Sequence, residues 1–126
     1  MTSPTNVVVT PGVKGAIFAA IMALIESGDE VIVQDPGFPS YGAITKFAGG
    51  TAVPWRQTMD NDFAYDIDQL QSIVNNKTKL IVINNPNNPT GTIMSRQVLE
   101  SISEIALKHN LWVISDEIYS QLYFNR

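Results

Sequence analysis

The chain of 126 residues contains no cysteine. That excludes a disulfide framework and any thiolate metal site. His109 is the only histidine, which rules out within this chain a histidine-based catalytic triad or a metal site of several imidazoles. Basic residues are few: eight Lys and Arg against twelve Asp and Glu leave a net charge of −4. Such a balance offers no cationic footprint for nucleic acid and no attraction to an anionic membrane surface. No apolar run reaches membrane-spanning length. The opening Met-Thr-Ser-Pro lacks the basic-then-apolar order of a signal peptide, so a cytoplasmic location is expected. No internal repeat or low-complexity segment is present. What remains is 44% hydrophobic and 16% charged, a balance that can bury the core of one modest domain.

The most informative stretch runs from Leu80 to Gly91. An apolar run, Leu-Ile-Val-Ile, halts in Asn-Asn-Pro-Asn-Asn-Pro-Thr-Gly. The run suits a strand buried on both faces, and Pro86 and Pro89 forbid its continuation. Elsewhere the pattern alternates between periods. Residues 6–10, β-branched from Val7 on, read as a first strand. Residues 14–26 carry a helical apolar face at Ile17, Phe18, Ile21, Met22, Leu24 and Ile25, with Gly28 suited to a left-handed cap. A strand over 30–34, a helix over 40–48 with Ser40 as N-cap, and a strand over 51–55 come next. Then come a helix over 66–74, the Leu80 strand, a helix over 95–109 and a strand over 111–114. Alternation of this kind predicts a three-layer α/β/α sandwich around a mostly parallel sheet. Right-handed crossovers put all strand carboxyl ends on one edge, where open α/β sheets hold ligands. The loops at 10–14, 35–41, 84–91 and 115–119 should rim that edge.

Each candidate group there has a structural and a functional reading. The turn Thr10-Pro11-Gly12-Val13-Lys14-Gly15 leads into a helix N-terminus, whose free N–H groups and dipole favour phosphate; it is equally an ordinary βα turn. It has neither P-loop nor Gly-x-Gly-x-x-Gly spacing. Phe38 and Tyr41 either stack on a flat ligand or fold back onto the core. Asn88 either binds a ligand oxygen or initiates a turn. Asp116 follows Trp-Val-Ile-Ser and so lies at the carboxyl end of a strand expected to be buried, where a carboxylate needs a partner: a cationic ligand atom, or the first-turn N–H groups of a helix that it caps. Glu117 should point away. Tyr119, three residues on from Asp116, either brings a phenol to the same ligand or fills the core. Taken together, a phosphate cradle, an aromatic face, an amide, a carboxylate and a phenol match a flat, phosphorylated, basic heteroaromatic with a ring hydroxyl. Pyridoxal 5′-phosphate is such a molecule.

Over residues 6–124 the chain resembles the large domain of the class I/II aminotransferases, pyridoxal-phosphate enzymes of the aspartate-aminotransferase-like fold. The resemblance is carried by Thr-Pro-Gly-Val-Lys-Gly-Ala, Gly-Asp-Glu-Val-Ile-Val-Gln-Asp-Pro-Gly-Phe-Pro-Ser-Tyr, Asn-Asn-Pro-Asn-Asn-Pro-Thr-Gly and Ser-Asp-Glu-Ile-Tyr, in this order and spacing. It implies that Gly12, Val13 and Lys14 hold the cofactor phosphate and that Phe38 stacks on the pyridine ring. It implies that Asn88 and Tyr119 bind the ring's 3′-oxygen, and that Asp116 pairs with the pyridine nitrogen.

The same resemblance places the Schiff-base lysine and the arginine that grips the substrate carboxylate beyond Arg126. None of Lys14, Lys46, Lys77, Lys79 and Lys108 matches that lysine. Residues 1–126 are therefore expected to be a partial large domain, inactive by itself, with strands 1 to 5 of a seven-stranded sheet. Strands 3-2-4-5 should pair in that order. The first strand should pair unusually, beside residues 111–115 or with a partner chain, and an exposed edge should favour dimerisation or aggregation. The implied parent reaction moves an amino group between an amino acid and a 2-oxo acid in a homodimer. A carbon–sulfur lyase, an aminocyclopropane-carboxylate synthase-like enzyme and the sensor domain of a transcription regulator stand as alternatives.

Overall fold

The computed structural model describes residues 3–122. After a 3-10 turn at Pro4–Asn6, helix α1 spans Val13–Leu24, strand β1 Glu30–Asp35, α2 Ser40–Phe47 and β2 Thr51–Arg56. A second 3-10 turn at Met59–Asn61 leads to α3 (Ile67–Ile73), β3 (Thr78–Asn84), α4 (Arg96–His109) and β4 (Trp112–Asp116). The helix starts obey local chemistry. Asp66 accepts the Gln69 N–H at 3.0 Å and Ser95 accepts the Val98 N–H at 3.2 Å, each satisfying a first-turn donor that has no partner within the helix.

All pairings are parallel, in the order β2-β1-β3-β4. This is the expected 3-2-4-5 order, counted from residues 6–10. Side chains alternate across the sheet. Val31, Leu80 and Val82 pack with Ile17, Ile21 and Tyr41 under α1 and α2. Ile32, Ile81 and Ile83 pack with Leu70, Ile102 and Ile105 under α3 and α4. The three layers are thus the predicted α/β/α sandwich. Each fully buried Ile or Leu contributes about 1.5–3 kcal/mol by leaving water. Register sets Asp35 beside Arg56 and Asn84 beside Asp116, so the strand carboxyl ends share one edge.

Several expectations are corrected. Residues 7–10 form no strand and pair with nothing, beside β4 or elsewhere among the described residues. Val8 and Val9 are 84% and 92% exposed. β-Branched side chains favour extended backbone, but a strand also needs a neighbour to take its N–H and C=O groups. The sheet accordingly has four strands rather than five. β4 is an exposed edge instead of a buried strand, with Trp112 56% exposed. Ser40 is the first residue of α2, whose cap position is Pro39 without a side-chain bond. Gly28 is left-handed (φ +95°) but lies beyond the α1 cap, Ile25. The resemblance reaches residues 123 and 124, which lie outside the described residues.

Candidate functional site

Loops after β1, β3 and β4 and the first turn of α1 enclose a cavity of about 180 Å³. Val13, Lys14, Phe38, Asn88, Asp116 and Tyr119 all line it. Gly12, the remaining candidate, sits behind them as the N-cap of α1 at φ +85°. A side chain would be strained there, although the space beside it is open. With no strand before it, the turn reaches the site because α1 packs on the sheet. No side chain caps the first turn of α1, so the Val13 and Lys14 N–H groups stay available to an anion, whereas the Gly12 N–H already donates to the Thr10 carbonyl at 2.8 Å.

The asparagine loop divides its work. Asn85 Oδ1 accepts the Met94 N–H at 2.9 Å. Asn87 Nδ2 donates to the Pro36 carbonyl at 3.1 Å and to Thr90 Oγ1 at 2.9 Å, tying this loop to the one after β1. Of these three loop asparagines Asn88 lines the cavity, where its Nδ2 donates to the Tyr119 hydroxyl at 3.1 Å. Three X–Pro bonds in the two loops are cis, at Pro36, Pro86 and Pro89. Gly37 is sterically obligatory: a Cβ there would collide with the Gln34 carbonyl oxygen. Phe38, next along, meets Tyr41 edge-on at 5.6 Å between centroids, and the Lys14 ammonium lies 5.6 Å from its ring centre.

Asp116 is 6% exposed. Its Oδ2 accepts the Tyr41 hydroxyl at 2.8 Å and its Oδ1 the Ile118 N–H at 3.2 Å. Asp116 therefore caps the next turn of the chain and also lines the cavity. Among the described residues the ion pairs are Arg56–Asp35 and Arg96–Glu100, both exposed. The buried carboxylate thus has neutral donors and no cation. Glu117 points away, accepting the Ser115 hydroxyl at 3.0 Å. Burial pushes the Tyr41 hydroxyl pKa far above the phenol range, and the neighbouring Asp116 carboxylate pushes the same way.

Two lining residues were not singled out for these roles from sequence. Asn84 looks like its three asparagine neighbours; its position as the last residue of the strand, in register with Asp116, is what distinguishes it. Tyr41 lies 75 residues from its partner, a separation that local pattern does not bridge. A carboxylate lacking a cation, an open helix N-terminus, an aromatic edge and an amide–phenol pair are the donor set that a protonated, phosphorylated pyridine ring would need. The residues present fit pyridoxal phosphate.

A sequence model described as aminotransferase class I and II matches residues 1–126. The aspartate aminotransferase of Thermotoga maritima is 43% identical over 122 residues, 97% of this chain and 32% of that protein. The aspartate/prephenate aminotransferase of Thermus thermophilus is 37% identical over 122 residues, 97% of this chain and 32% of that protein. Among solved structures, the alanine aminotransferase of Pyrococcus furiosus superposes with a TM-score of 0.87 at 37% identity, over 91% of this chain and 29% of that one. The chain spans about a third of the length of the curated relatives it matches.

Proposed function

We propose, from the premise that this chain belongs to the class I and II aminotransferase family, that it holds the cofactor of an enzyme moving an amino group between an amino acid and a 2-oxo acid. The family depends on pyridoxal phosphate. The activity is proposed of the whole protein. Residues 1–126 contribute as part of its large domain, in a cytoplasmic homodimer. No helix among the described residues is long and apolar enough to cross a membrane.

The observation that carries this proposal is Asp116, a buried carboxylate with two neutral donors and no cation among the described residues, facing a cavity shared with Phe38, Asn88 and Tyr119. In the bound state Asp116 holds a proton on the ring nitrogen. Asn88 and Tyr119 orient the ring oxygen, and Phe38 covers one ring face against water. The N–H groups of Val13 and Lys14, with the α1 dipole, take the phosphate, and Gly12, whose own N–H is held by the Thr10 carbonyl, shapes the turn that presents them. When bound, the cofactor supplies an electron sink for charge developing at the substrate α-carbon. The aminotransferase reaction is favoured over a lyase or a regulator because the relatives from Thermotoga, Thermus and Pyrococcus are named as aminotransferases.

Titration with pyridoxal phosphate, followed by visible absorbance and circular dichroism, tests the site. Saturable binding that is lost in Asp116→Ala supports it. Absence of binding by the unaltered protein, or unchanged binding by Asp116→Ala, rejects it.

A further inference from the structure

We propose that Asn84 is a positioning residue of this site, its carboxamide setting the separation between the Asn88 and Asp116 walls. The inference rests on the proposed cofactor site. Asn84 ends β3 directly opposite Asp116 in the ladder and is 1% exposed. Its Nδ2 donates to the Asp116 carbonyl at 3.0 Å, while its Oδ1 accepts the Asn88 N–H at 2.8 Å. One planar group therefore spans the gap between the asparagine loop and the end of β4. Its own backbone N–H donates to Gln34 Oε1 at 2.6 Å, so the strand end is held from the β1 side as well.

An apolar residue of similar size would pack here but leave the Asn88 N–H and one Asp116 carbonyl lone pair without these partners. The buried side-chain oxygens of Gln57 and Asn87 have no partner among the described residues, whereas both ends of the buried Asn84 carboxamide are used, which offsets the cost of burying it. What it fixes matters because the ring's nitrogen and its oxygen substituent lie a rigid distance apart. The protein groups meeting them must keep their spacing to about half an ångström. Asn84 acts through Asn88 and Asp116, without itself needing to bind the ring.

The test uses the whole protein with pyridoxal phosphate as probe. Asn84→Ala removes both bonds. Asn84→Ser keeps a hydroxyl that can restore one. Asn84→Ala is expected to bind at least about tenfold more weakly, the scale of one lost hydrogen bond to a well-placed partner. Asn84→Ser should fall between it and the unaltered protein. At saturation the visible dichroism of the bound ligand should shrink in the same order, because the ring is held less rigidly. Unchanged affinity and dichroism in the folded variants would overturn the inference even if their melting temperature fell. Failure of the unaltered protein to bind would overturn the cofactor reading instead. Amide exchange needs no substitution: the Asn88 N–H should be protected in the unaltered protein, and exchange at the rate of a free loop would also overturn the inference.

Discussion

Tyr41 donates its phenolic proton to Asp116 Oδ2 at 2.8 Å across 75 residues of sequence. The bond joins the first turn of α2 to the end of β4. Tyr41 is 1% exposed, so the bond satisfies a hydroxyl that is otherwise buried.

Tyr41→Phe should keep the ring in the core and remove only the hydroxyl. The loss of a buried hydrogen bond to a carboxylate should lower stability by about 1.5–3 kcal/mol. Urea denaturation of the two proteins, with unchanged slope and a lower midpoint for the variant, checks this.

Asp116→Asn should separate shape from charge. The amide can still accept from Tyr41 or from the Ile118 N–H, so stability should change little. It cannot neutralise a protonated ring nitrogen, and charge-assisted bonds are roughly twice as strong as neutral ones. Pyridoxal phosphate should bind at least about tenfold more weakly, measured by equilibrium dialysis.

Alkaline pH should weaken the fold through two tyrosines. Burial raises the hydroxyl pKa of Tyr41 and pushes that of Tyr65 up to about 12, the latter against a lowering by the Gln34 hydrogen bond. In the unfolded chain each returns to about 10. The native state holds these protons more tightly, so the stabilisation is complete below about pH 10 and is lost as pH rises through the folded values. Melting temperature should fall between about pH 10 and 12, and Tyr65→Phe should flatten that fall.

Gly37→Ala should be among the most damaging single-methyl additions. The new carbon would meet a backbone oxygen, not a side chain that can rotate away. A cost of about 3 kcal/mol or more is expected. Gly12→Ala meets open space and carries only the strain of a backbone region, φ +85° and ψ 165°, that is nearly confined to glycine, about 1–3 kcal/mol. Thermal melts of the two variants should rank them in that order.

The apolar stripe in the sequence places α4 within a residue of where it lies; Ser95, expected as the first helical residue, is its N-cap. The parallel sheet order was legible too, because it comes from alternation and from the family resemblance. Residues 7–10 misled because their propensity for extended backbone says nothing about whether a neighbour exists. The same limitation applies to β4: apolar Trp112 and Val113 suggest a buried strand, yet they are exposed at the sheet edge. At the site, residues near breakers could be found from sequence. Asn84 could not, because its role lies in two bonds made across different segments, to Asn88 and to Asp116.

The unpaired valines before α1 bear on how the protein behaves in a tube. Thr5-Asn-Val-Val-Val-Thr10 is uncharged and β-prone, and about six such residues suffice to seed cross-β stacking. Pro4 and Pro11 bracket the segment and cannot donate to a growing ladder. Colloidal stability at high concentration therefore hangs on two gatekeepers and on whether anything covers three valines. A lysine at Val8, outside both helix layers and away from the cavity, is the change most suited to keeping the protein dispersed.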